Sequence, residues 1–432
     1  MPTAHWLGTD CADTTRFLVR TLSLTQHPAN DVIPQDVALA RPGPATQPDG
    51  RSIASALLPI MAVVFVGFLI TGMAMPVLPL HVHQRLGLGT FVVGLVAGVQ
   101  FAASLVSRFW SGRYADARGG KQAMMVGILM AAAAGALYLA SLRFADAPSL
   151  SVTILIVGRA MLGWAESCMI TGALTWGLAL GGRGHSGRVI AWVGTALWGA
   201  FAAGAPLGTL LYDRVGFVGI ALTTMLLPLV TLALVVRQQA IPPTPHAAPA
   251  FAHVIGAVAL PGIALALGSV GFGAITTFST LYFAERTWSG AWLVFTVLCG
   301  VFILGRIAFG HLPDRLGGAR VALVCVVIQA VGLAAIWLAP SAAVVFAGAA
   351  ITGAGYSLVF PGFGVEAVRR APPESRGMAM GIYSAYLDLA LGIANPLLGY
   401  VAGHQGLRAV FLVSALLVAG ASVVATRMLA GR

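Results

Sequence analysis

From residue 53 onward the chain is a succession of apolar runs, each ended by charge or by a Gly/Pro cluster. The runs fall at 53–80, 89–110, 122–144, 150–180, 187–211 and 217–236, then at 254–283, 291–310, 321–339, 342–367, 377–402 and 408–426. A membrane-spanning helix needs about 20 apolar residues, and the 382 residues from Arg51 onward leave about 32 for each of twelve spans and its loop. Lipid offers no partner for backbone N–H and C=O groups, so such runs must be helical. The expected fold is an all-α membrane protein of twelve transmembrane helices. With only 9% charged residues, against about 25% in an ordinary soluble domain, a water-soluble globule is excluded.

The same scarcity of charge excludes several functions. The net charge is +11, but the basic residues stand singly between apolar runs and form no groove for nucleic acid. Only one is a lysine, Lys121, and Gln122 follows it, so no phosphate-cradling P-loop exists. The four cysteines (Cys11, Cys168, Cys299, Cys325) lack metal-ligand spacing, and the nine histidines join no Ser/His/Asp grouping. Neither an enzyme nor a metal or cofactor site is expected. The implied partners are the lipid bilayer and a small-molecule substrate, handled by a monomer.

Residues 1–50 are polar and Pro-containing, without an apolar stretch long enough for a signal peptide, and read as a disordered cytoplasmic tail. The Pro-rich stretch after Gln239 reads as a linker, which divides the chain into 51–236, a cytoplasmic link at 237–253, and 254–432. With the N-terminus inside, fourteen basic residues after residue 50 fall on the cytoplasmic side and five on the other, which favours both termini in the cytoplasm. The two divisions also repeat each other. Arg108, Gly112, Asp116, Gly119 and Gly120 recur 198 positions later as Arg306, Gly310, Asp314, Gly317 and Gly318. Gly158, Gly163, Gly187, Pro206 and Gly216 recur 190 positions later as Gly348, Gly353, Gly377, Pro396 and Gly406. Duplicated halves predict two pseudo-symmetric six-helix bundles around a central cavity.

The loop after the second run reads Gly112-Arg113-Tyr114-Ala115-Asp116-Ala117-Arg118-Gly119-Gly120-Lys121, and its partner runs from Gly310 through Asp314-Arg315 to Arg320. Both resemble the G-x-L-A-D-R-x-G-R-K loop of the major facilitator superfamily. The resemblance implies a conformational latch at Gly112, Asp116, Arg118, Gly310, Asp314 and Arg315; Tyr114 and Ala117 depart from the pattern. Gly158-Arg159 through Glu166-Ser167 is similar to the superfamily's fourth-helix motif with its buried arginine. The segment Gly204-Ala205-Pro206-Leu207-Gly208 resembles an exporter signature, departing from it at Ala205; a proline kink with a small-residue packing face explains it equally well. Phrases such as Thr171-Gly172-Ala173-Leu174 and Phe360-Pro361-Gly362-Phe363 look like the YhhS/YfcJ-type branch of bacterial inner-membrane facilitators, an efflux-like group.

Three ionisable residues within the runs are candidates for substrate binding and proton coupling. Arg159 and Glu166, seven residues apart, lie about 20° apart on one helix face and are expected to look into one wet cavity. There Arg159 holds a substrate anion or Glu166, or else closes an ion-pair network bracing two helices. Asp388 sits near the middle of the eleventh run with no basic residue within two turns on that run. An intramembrane carboxylate is a functional-site hypothesis, and Asp388 reads as the proton carrier, with a hydrogen-bonded structural acid as the alternative. Arg108 and Arg306 are expected to snorkel to the cytoplasmic surface, and Glu366 to form a surface or gate pair with Arg369. The expected function is secondary active transport of a small organic solute by alternating access, as a proton-coupled exporter. An uptake carrier, or a membrane receptor that keeps the transporter fold, are the alternatives.

Overall fold

The computed structural model describes residues 53–181, 186–242, 251–372 and 375–430. Among them are twelve helices long and apolar enough to cross a membrane. In the first half these are α1 (Ile53–Leu80), α2 (Thr90–Arg118), α3 (Gly120–Leu142), α4 (Pro148–Gly181), α5 (Ser186–Val215) and α6 (Phe217–Val236). The second half has α7 (Phe251–Glu285), α8 (Ala291–Phe309), α9 (Gly318–Leu338), α10 (Ala342–Arg370), α11 (Arg376–Gln405) and α12 (Leu407–Ala430). The expected tail at 1–50 lies outside the described residues, as does most of the Pro-rich stretch of the linker.

Each expected run forms one span, with local departures. A turn of π-helix (His81–Arg85) prolongs α1, and a one-turn helix (Leu312–Leu316) fills the α8–α9 loop. The tenth span is broken between Tyr356 and Val359. There the Ser357 hydroxyl donates to the Ala354 carbonyl (2.6 Å) and the Tyr383 hydroxyl to the Phe360 carbonyl (2.8 Å). Side chains thus satisfy part of the interrupted backbone, as an apolar setting requires.

The helices pack as two six-helix bundles whose neighbour relations coincide when α1–α6 are exchanged for α7–α12. α1 packs on α5 as α7 does on α11; α3 packs on α4 and α6 as α9 does on α10 and α12. Between the bundles, α2 packs on α11 and α8 on α5. Glycine makes these approaches possible because no Cβ intervenes. A Cβ on Gly120 would lie 2.8 Å from the Gly172 carbonyl oxygen, and one on Gly318 would clash with that of Gly362. Likewise Gly163 abuts the Gln100 carbonyl and Gly353 that of Leu298. All four pairs obey the two sequence offsets. The two loops turn alike as well, through Gly119 at φ +91° and Gly317 at φ +92°, a backbone region that favours glycine.

Candidate functional site

A cavity of about 280 Å³ lies between the bundles. On the side remote from the α2–α3 loop it is bounded by a tight seam. There a Cβ on Gly98 would sit 2.8 Å from the Gly392 carbonyl oxygen, Gly94 abuts the Asn395 carbonyl, and the Thr90 hydroxyl donates to the Gly399 carbonyl (2.8 Å). The cavity therefore occupies the space toward the α2–α3 and α8–α9 loops. Its polar lining comes chiefly from the first bundle, with Thr71, Gln100, Ser104, Arg108 and Glu166. Aromatic side chains supply much of the rest: Trp198 and Phe201 of α5, Phe272 of α7, Phe302 of α8, and Tyr356 and Phe360 of α10.

The polar groups form two clusters. Glu166 is 7% exposed and accepts hydrogen bonds from the Thr71 hydroxyl and from Gln100 Nε2 (2.8 Å). Asp388, 3% exposed, pairs with Arg108 Nε across the two bundles and lies 3.4 Å from the Ser104 hydroxyl. It is therefore not the isolated carboxylate of the sequence reading, and Arg108 does not snorkel away to the surface. The signal was present, because Asp388 lies twelve residues in from Arg376 and Arg108 ten residues in from Arg118, at matching depths on two helices. Which helices would be neighbours was not. Thr71, Gln100 and Ser104 carried no sequence signal at all.

Arg159 and Glu166 do not share one environment. Arg159 is 2% exposed, donates from Nε to the Val96 carbonyl (3.3 Å), and lines a separate cavity of about 20 Å³ that Thr276 and Thr277 also reach. Its Nη1 makes no hydrogen bond among the described residues. The cause is axial: seven residues put the two groups about 10 Å apart along α4, and Phe101 and Met75 of neighbouring helices stand in both cavities. Glu366 also departs from expectation. It is buried rather than at the surface, and accepts from the Ala319 backbone N–H (3.3 Å) at the start of α9.

The loop residues stay apart from the cavity. Asp116, Arg118, Asp314 and Arg315 are exposed, and neither aspartate forms an ion pair with any described residue; Gly112 has open space beside it and Gly310 abuts the Arg306 carbonyl. On α5, which runs unbroken through Pro206, Gly204 meets Gly72 and Gly208 meets the Met73 backbone, so this segment is a close-packing face against α1.

Comparison with known proteins agrees with this architecture. The Major Facilitator Superfamily model matches residues 60–343 and 291–431. An uncharacterized transporter of that type from Salmonella typhimurium is 42% identical over 365 residues, 84% of this chain and 94% of its own length. Another, from Pseudomonas aeruginosa, is 41% identical over 377 residues, 87% and 94% of the two chains. Among solved structures, the nucleoside transporter NupG superposes with a TM-score of 0.72 at 12% identity, covering 86% of this chain and 99% of that one. A bacterial homologue of the lysosomal transporter Spinster, inward-facing and unoccupied, gives 0.66 at 12% identity over 86% and 96%. At such identities the structures attest the fold alone. The chain belongs to the major facilitator superfamily, and is a multi-pass membrane transporter with the fold of alternating access.

Proposed function

We propose that the chain is a secondary active transporter that uses protons to export a small organic solute across a bacterial inner membrane. The observation that carries the reading is the Arg108–Asp388 pair, which ties α2 to α11 beside the cavity. A proton on Asp388 removes the charge that holds Arg108, so it weakens the tie between the bundles. A ligand shifts a conformational equilibrium only by its differential affinity for the two states, and a proton meets that condition here. The charged and titratable groups around Asp388 are Arg108 of α2, Arg306 of α8, Tyr356 of α10 and Glu166 of α4, all lining the same cavity. Glu166, held by Thr71 and Gln100, contributes to the cavity's charge but is not assigned the proton.

The export direction is supported by the likeness of Gly204, Pro206 and Gly208 to the exporter signature and by the branch that the chain resembles. In this reading both termini and the 237–253 linker between the halves 51–236 and 254–432 are cytoplasmic, which makes the described conformation open toward the cytoplasm. The exposed loop residues Gly112, Asp116, Arg118, Gly310, Asp314 and Arg315 would latch when that end closes. The test is reconstitution in proteoliposomes with an imposed pH gradient and a panel of labelled solutes. Wild type should concentrate a solute against its gradient, and Asp388→Asn should exchange it without concentrating it. Flux of every transported solute unchanged on collapsing the gradient removes the proton claim, and binding without flux points to a receptor.

A further inference from the structure

The duplication places a second arginine at the cavity but gives it no carboxylate. Arg306 stands 198 positions after Arg108 on the equivalent helix and lines the same cavity. The position equivalent to Asp388, 190 residues earlier on α5, is Trp198. Arg306 consequently forms no ion pair with any described residue; its guanidinium carbon lies 5.9 Å above the Phe302 ring. Trp198 stacks on that same Phe302, with ring centroids 3.8 Å apart and planes at 28°. Tyr356 adjoins both at 5.7 and 6.3 Å. An unpaired guanidinium thus adjoins a continuous aromatic surface on the cavity wall.

The other charges leave this cation uncompensated. Asp388 is taken up by Arg108, and Glu166 belongs to the opposite bundle, where Arg159 lies about 10 Å away along α4. Of the four charged groups that line the cavity, Arg108, Glu166, Arg306 and Asp388, Arg306 is the one with no ion pair or hydrogen bond among the described residues. Arg306 is exposed to the cavity space, so its donors are free to take a ligand, and an anionic group supplies them with a direct, charge-assisted partner. A guanidinium presents two parallel N–H donors to a carboxylate, while aromatic faces favour a flat body in offset stacking.

We propose that Arg306, with Trp198 and Phe302, forms a subsite for a planar aromatic solute bearing one carboxylate or similar anionic group. This rests on the transport reading above and assigns its solute class. Arg306 binds the anion and the Trp198–Phe302 surface binds the ring. The cavity of about 280 Å³ admits a body of two fused rings.

The test uses the full chain purified in detergent, with no gradient, and three probes of one shape: 2-naphthoate, 2-naphthamide and 2-naphthylmethylammonium. Equilibrium dialysis should show naphthoate binding with a Kd at least about tenfold below the other two, as expected for one charge-assisted pair. Arg306→Gln should raise the naphthoate Kd about tenfold and leave that of naphthamide within about twofold. Arg306→Lys should keep most of the preference, which shows that a folded site survives substitution. Equal or tighter binding of the amide or the ammonium probe, an Arg306→Gln variant that binds naphthoate like wild type, or no naphthoate binding above empty detergent each overturns the assignment. Because no gradient is present, failure of proton coupling in proteoliposomes leaves this result standing, and failure here leaves the coupling reading standing.

Discussion

The two seams between the bundles occupy equivalent places and are built from opposite chemistry. On α2 and α11, Ser104, Arg108 and Asp388 form a polar tie. At the matching positions of α8 and α5 stand Phe302, Arg306 and Trp198, an aromatic stack with a cation left over. The cavity floor shows the same split: Thr71 donates to Glu166 in one half, whereas Tyr356, 190 positions after Glu166, donates to Ser269 at 3.3 Å in the other. Duplication has therefore conserved backbone contacts and diverged in side-chain chemistry. In the proposed reading the first seam is the one that a proton switches, and the second, which lacks a carboxylate, is left to serve the solute.

Neutralising the polar tie should have the largest effect. Asp388→Asn or Arg108→Gln leaves one partner of a largely buried pair without the other, at roughly 2–3 kcal/mol once the one-third exposure of Arg108 is allowed for. Gradient-driven accumulation should fall about a hundredfold. The double variant Arg108→Gln/Asp388→Asn should regain thermal stability in a melting assay without regaining accumulation; recovery of both would make the pair structural only.

Next in size is the α2–α11 seam itself. Gly98→Val places carbon against the Gly392 carbonyl and Pro396, an overpacking cost of about 1–3 kcal/mol. The bundles should part at that end, and thiol labelling of a cysteine introduced at Phe91 should rise several-fold. Unchanged labelling would mean that the seam is not the closed gate.

A smaller effect is expected at the cavity floor. Glu166→Gln keeps one acceptor oxygen, turns the other into an NH2 donor and removes a negative charge, so naphthoate should bind a few-fold tighter while the gradient still drives transport. Loss of the gradient response in this variant, with Asp388→Asn normal, would move the proton from Asp388 to Glu166. Smallest of all should be Thr296→Val on α8, which deletes one hydroxyl whose 3.3 Å contacts are to the Ala202 and Trp292 carbonyls. The cost is about 1 kcal/mol or less, read as a small shift in melting temperature with transport unchanged.

The spans, their number and the duplication could be read from the chain because each depends on local properties: twenty apolar residues, a glycine at a turn, an arginine recurring at a fixed interval. The identity of Asp388 and Glu166 as intramembrane carboxylates was legible for the same reason. Their partners were not, since Arg108 and Asp388 are 280 positions apart and Thr71 and Glu166 are 95 apart. Shared helical phase suggested that Arg159 and Glu166 act together, but phase says nothing of what stands between them along the axis, and they open on different cavities. The burial of Glu366 was not legible because the first turn of α9, whose Ala319 N–H it accepts from, approaches from outside its own stretch of chain.

What the sequence determined by itself is the set of helices and the two-fold plan, because lipid leaves a backbone no alternative to internal hydrogen bonding and small residues at repeated positions leave packing few choices. Only the tertiary structure decided which charge is paired and which is free. A guanidinium four residues inside each loop glycine looks the same in both halves of the chain, and its state depends on a side chain from the other bundle: Asp388 opposite Arg108, Trp198 beside Phe302 under Arg306.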